Sequence, residues 1–173
     1  MRKGLTRNIT LLVLVLCNAG CDQVSKDMVR NRIDYRQVIE VLGDTFFLTK
    51  VENTGAFLSM GVDWPEPVRW VALVALPLLI LAYGLYIMFS AKYISSRMAF
   101  GLAFAIGGGF GNMYDRLVFG SVTDFMHLDF GFVRTGIFNM ADLSITAGVL
   151  LIFSDVVSRR VRRAKHPVVR DAE

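Results

Sequence analysis

Histidine and cysteine are scarce in this chain, two of each in 173 residues. Cys17 and Cys21 lie four apart in one apolar stretch, with no second pair for zinc and no disulfide framework. They read as two buried thiols. No HExxH and no cysteine–histidine cluster is present, so neither a metal nor another cofactor is expected. Ser59, Ser121 and Ser144 have no histidine or cysteine placed to form a nucleophile–base pair with them. Internal repeats and a separable soluble domain are also missing. Charged residues make up only 20% of the chain, against 54% hydrophobic. A soluble domain of this length does not carry its apolar residues in such long runs. The net charge of +4 comes from the ends: Arg2, Lys3 and Arg7, then Arg159, Arg160, Arg162, Arg163 and Lys165. These clusters flank apolar segments and lack aromatic interleaving, which points to a membrane and away from nucleic acid.

Four apolar segments predict helices at about 5–24, 68–90, 98–114 and 138–157, in a single domain spanning 1–173. The first contains LLVLVLCNAGCDQVSK (Leu11–Lys26), which has a rival reading as a lipoprotein signal cut before Cys21. As such a signal it is poor, because Asn18 stands three before the cysteine, where an aliphatic residue is expected. We read it as a retained helix. Lysine and arginine near the helix ends put the N-terminus, the short 91–97 link (Lys92, Arg97) and the 158–173 tail in the cytoplasm. The outer loops are then about 26–67 and 115–137. In the first, VIEVLGDTFFLTKVEN reads as two strands around a Gly43-Asp44 turn. In the second, SVTDFMHLDFGF reads as an aromatic interface segment, with His127 and Asp129 facing water. The expected architecture is an α-helical integral membrane protein: four transmembrane helices and a small extracytoplasmic sheet between helices 1 and 2.

Threading the polar residues through this topology collects them in one layer. Asp22, Asn53, Asn112, Asp115, Arg116, Asp124, Asn139 and Asp142 all fall at the outer face, and ionisable groups at membrane depth default to function. Each also has a plainer reading. Asp115-Arg116 serves as a structural ion pair or headgroup contact, Asn139 as a helix cap, and Asn53-Thr54-Gly55 as a turn. The run GGGFGN (Gly107–Asn112) packs helices, or admits a bound peptide beside Gly108 and Gly111. Asp155 neutralises the arginines that follow it. Asp124 and Asp142 are harder to dismiss, since both sit beside apolar residues where water still enters. Two carboxylates in a partly dry site share a proton: one ionised to activate water, one protonated to polarise a carbonyl. The sequence does not assign those roles between them.

The ordered motifs DQVSK (Asp22–Lys26), NTGAF (Asn53–Phe57), GGGFGNMYDR (Gly107–Arg116), VTDF (Val122–Phe125) and FNMAD (Phe138–Asp142) resemble bacterial lipoprotein signal peptidase, signal peptidase II, over nearly the whole chain. That resemblance implies a membrane aspartic endopeptidase that cuts diacylglyceryl-modified prolipoproteins on the N-terminal side of the lipidated cysteine. It puts the catalytic pair on Asp124 and Asp142. It puts substrate binding and support on Asp22, Asn53, Gly108, Asn112, Asp115, Arg116 and Asn139, with Asn53 and Arg116 as peptide contacts. It implies a bacterial inner-membrane location with both termini cytoplasmic, the site at the periplasmic face, lipid and prolipoprotein partners, no nucleic acid, and a monomer. The alternatives are a small ion-coupled transporter using the acids as a proton relay and a non-enzymatic lipoprotein or scaffold with Cys21 lipidated.

Overall fold

The computed structural model describes residues 2–55, 60–90 and 94–165. Phe57 of the NTGAF motif, Ser59, Lys92 and the last eight residues lie outside them. Four helices form a bundle: α1 (Arg2–Arg32), α2 (Glu66–Ser90), α3 (Ser96–Val118) and α4 (Met140–Lys165). Helix α1 runs eight residues past the expected end at 24, and α3 starts two residues before the expected 98, capped by the Ser95 side chain accepting from Met98 N at 3.0 Å.

The bundle is apolar on its outer surface as well as in its core. On α1, Leu11, Val15, Asp22, Lys26 and Val29 are buried, while Leu5, Ile9, Leu12, Leu16 and Val24 are exposed. The three-to-four spacing of the first set makes one inward stripe, and the outward apolar face suits lipid. Cys17 and Cys21 lie on that outward face and are exposed, which corrects the expectation of two buried thiols. Both fall between the positions of the inward stripe.

Helices α1, α2 and α4 are long and apolar enough to cross a membrane. Helix α3 does not meet that measure, its apolar run being diluted by glycines and by Asn112, Asp115 and Arg116; its inward positions are small, with Gly101, Ala103, Gly107, Gly108 and Gly111 all buried. It touches each of the other three helices. Three consecutive glycines meet three neighbours. A Cβ at Gly107 would meet Val15 and Asn18 of α1; at Gly108, Ala141 and Ser144 of α4; at Gly109, Leu81 of α2. Close backbone approach of this kind is how small residues hold helices together in lipid.

Helix α2 takes a π-helical turn over Val71–Ala75, just before Pro77. Proline removes a backbone donor and its ring crowds the carbonyl four residues earlier, so the chain widens there.

Strands β1 (Val38–Leu42) and β2 (Phe46–Asn53) form the expected hairpin. The sheet has a third member, β3 (Val122–Leu128), antiparallel to β2, in the order β1-β2-β3. The sheet is therefore built from both loops, and not only from the loop between helices 1 and 2. Residues read as an aromatic interface segment instead pair with β2, and His127 is half-buried, its ring 6.3 Å from Phe47.

Candidate active site

Strand alternation sorts the residues of β3 to opposite sides. Thr123 pairs with Glu52, and Asp124 with Val51. Asn53, two residues beyond Val51, shares the face of Asp124, and its Nδ2 donates to Asp124 Oδ2 at 3.0 Å. The Asn53 Oδ1 accepts from Gly55 N at 2.9 Å, so the same side chain closes the expected turn and reaches Asp124.

A bridge between Met126 and Phe138 brings the start of α4 against β3. Asn139 follows, fully buried. Its Oδ1 accepts from Asp142 N at 3.0 Å, while Asp142 Oδ2 accepts from Asn139 N at 3.1 Å. This reciprocal box is how a helix satisfies its first free donors. The Asn139 Nδ2 also donates to Asp124 Oδ1 at 2.6 Å. One residue thus caps the helix and ties Asp142 to Asp124. Both acids line a cavity of about 460 Å³ with Asn53, Asn112, Arg116 and Ile145. Asp124 is 4% exposed, and burial pushes its carboxyl up to about 6, helped by the nearby charge of Asp142 and opposed by the amide donors Asn53 and Asn139.

The supporting residues fall into two groups. Asn112 faces the cavity, its Nδ2 donating to Asp142 Oδ1 at 3.0 Å. Arg116 also lines the cavity, and its Nη2 donates to Gly55 O at 2.9 Å. Asp22 and Asp115 lie behind, fully buried in an ionic cluster. Asp22 Oδ1 accepts from Ala141 N at 2.9 Å, which satisfies another donor in the first turn of α4. Asp115 pairs with Lys26 at 3.2 Å and Arg30 at 2.8 Å. The ion pair of Asp115 is therefore with α1 and not with Arg116, because the two adjacent side chains leave the helix in different directions.

Gly108 and Gly111 are covered by Ala141 and Asp22 respectively. The expectation that a peptide passes beside them is corrected: those places are filled by α4 and α1. An apolar cleft of about 420 Å³ instead runs from the cavity along α2 and α3, past Ile80, Gly84, Leu102 and Gly109. It shares Pro77, Asn112, Arg116 and Ile145 with the cavity.

Sequence reasoning missed the roles of the residues that join sheet to bundle and α1 to α3. Thr123 Oγ1 accepts from Arg30 Nε at 2.9 Å and donates to Glu52 Oε1 at 2.9 Å, and Ser121 Oγ donates to Glu52 Oε2 at 2.6 Å. Gln23 Nε2 reaches both Gly111 O and Asp115 Oδ1 at 2.9 Å. Lys26, fully buried, pairs with Asp22 at 2.7 Å. Of these, Lys26 alone had a spacing signal, an i,i+4 acid–base pair with Asp22.

A family model described as signal peptidase (SPase) II matches residues 12–158. The chain is 35% identical over 162 residues to the lipoprotein signal peptidase of Pseudomonas aeruginosa, covering 91% of each chain. It is 33% identical over 146 residues to that of Streptococcus thermophilus, covering 84% of this chain and 91% of the relative. Among solved structures, a bacterial membrane enzyme determined by the in meso method at 2.3 Å superposes with a TM-score of 0.78 at 21% identity, over 95% of this chain and 94% of that one. A second, at 1.9 Å, gives 0.73 at 23% identity, over 85% and 92%. The fold is theirs, and the chain belongs to the signal peptidase II family, a family of bacterial membrane proteases.

Proposed function

We propose that this protease removes signal peptides from diacylglyceryl-modified prolipoproteins, cutting on the N-terminal side of the lipidated cysteine, with Asp124 and Asp142 as its catalytic pair. The observation that carries the reading is Asn139, which holds both carboxyls on one cavity through its amide and its backbone. The pair shares a proton. The ionised carboxylate takes a proton from water as the water oxygen attacks the scissile carbonyl carbon. The protonated partner hydrogen-bonds the carbonyl oxygen as charge develops there. Collapse breaks the C–N bond, and the proton taken from water passes to the leaving nitrogen. The products are a signal-peptide carboxylate and a lipid-modified cysteine with a free amino group.

Arg116 and Asn53 are proposed peptide contacts, and the apolar cleft along α2 and α3 takes the signal-peptide core. Lipid anchoring holds the cysteine at the depth of the dyad, so much of the specificity is an effective-concentration effect. Helix α3 serves as the fourth span, both termini are cytoplasmic, and the sheet end faces the periplasm. A single copy suffices, since both acids come from one chain. The transporter reading has nothing in its favour among relatives that are proteases.

Asp124→Asn and Asp142→Asn, each assayed on a lipidated prolipoprotein in detergent, test the dyad. Turnover is expected to fall at least about a thousandfold, the scale of losing an acid or base, with melting behaviour still that of a folded protein. Near-normal turnover in either folded variant overturns the assignment.

A further inference from the structure

We infer that Lys26, which lines no part of the cavity, is a positioning residue for the dyad and acts through the side-chain amide of Asn112. The inference rests on the assignment of Asp124 and Asp142. The Lys26 ammonium is fully buried and has three protons and three acceptors: Asp22 Oδ2 at 2.7 Å, Asn112 Oδ1 at 2.8 Å and Asp115 Oδ2 at 3.2 Å. Two of these are neutralising contacts. The third is to an amide, and charge balance does not require it, since Arg30 already supplies Asp115 with a second cation at 2.8 Å.

That amide has two possible orientations. Its Oδ1 accepts from Lys26 Nζ and from Asn139 Nδ2, the latter at 3.1 Å. Turned over, it would press its own N–H groups against an ammonium and a second amide donor, leaving all three unsatisfied. Lys26, with Asn139 beside it, therefore fixes which end of Asn112 faces α1. The other end, Nδ2, is left aimed at Asp142 Oδ1 at 3.0 Å. The second Asp142 oxygen is held by Asn139 N. One oxygen is positioned by the start of α4 and the other by a buried cation on α1. The charged groups around the relay are Asp22, Asp115 and Arg30 on the lysine side, and Asp124 and Arg116 on the cavity side.

The test is a double-mutant cycle on the full chain in detergent with a lipidated prolipoprotein. Asp22→Asn/Lys26→Met removes the buried pair together, which spares the fold an uncompensated charge and leaves an acceptor for Ala141 N. We expect kcat to fall about tenfold or more, the scale of a misplaced reacting group, with KM within about twofold. Asn112→Ala is expected to lose a similar factor, and the combined variant no more than Asn112→Ala alone, because both changes cut one relay. Losses that multiply, or an unchanged kcat in the folded pair variant, overturn the inference. Asn112→Asp is a second probe, keeping an oxygen toward Lys26 while replacing the donor to Asp142 with an acceptor. Retained kcat in that variant overturns the inference too. Asp124→Asn and Asp142→Asn run beside these. If they stay active the dyad assignment fails, and with it the inference. If they are inactive and the Lys26 variants are normal, only the role of Lys26 fails.

Discussion

Asp124 is a carboxyl kept in the fold at some expense. Its pKa lies at about 6 against an ordinary 3.8, so the fold favours the neutral form. A raised acid stabilises fully at low pH, and that contribution is lost as pH climbs from about 4 through 6. At about 1.4 kcal/mol per unit, discounted for residual solvent, the loss is on the order of 2 kcal/mol. Melting temperature in detergent is therefore expected to drop between pH 4 and pH 7.5. In Asp124→Asn that drop is expected to be smaller by roughly 4–8 °C. Equal drops in the two proteins would mean that burial does not penalise this carboxylate. Asp124 and Asp142 were legible in the sequence because acids beside Phe125, Val122 and Phe138 have no ordinary use. The fine partners were not. Lys26 meets Asn112 across 86 positions and Arg30 meets Thr123 across 93, and no local pattern encodes such pairs.

Among the elements, α3 and α4 carry the most consequence. The backbone of Gly108 approaches Ala141, one residue before Asp142. Gly108→Ala drives a methyl into the Ala141 carbonyl, and overpacking of this kind costs about 1–3 kcal/mol. Because the displaced segment is the first turn of α4, turnover is expected to fall further than stability, by about a hundredfold. Gly20→Ala is the control. Nothing lies within 4 Å of its Cβ position, so alanine's better helix propensity should leave activity intact and stability equal or higher. Matching losses in the two variants would contradict this packing account. The hairpin β1–β2 was legible from its Gly43-Asp44 turn. Strand β3 was not, because VTDFMHL lacks clean alternation: its first five residues are all buried, one side by the α1 network and the other by the cavity.

At the scale of the whole molecule, lipid and water divide the surface. Cys17 projects outward from α1 among exposed Val13 and Leu16. In intact membranes it is expected to escape a membrane-impermeant thiol reagent and to react once the protein is denatured in SDS. Single cysteines placed at Phe132, which is 89% exposed, and at Arg162 test the orientation. In spheroplasts the first is expected to be labelled from outside and the second only after permeabilisation. The reverse pattern would invert the topology. The four helices were readable from the apolar segments, whereas the exposed thiols were not, because burial by lipid and burial by protein look alike in one dimension. The box at the start of α4 bears on safety. An endopeptidase living among transmembrane segments is hazardous while half-assembled. Here fraying of a single turn would release Asn139, a residue bonded to both acids, so the proposed pair is held in full register only once the last helix has closed.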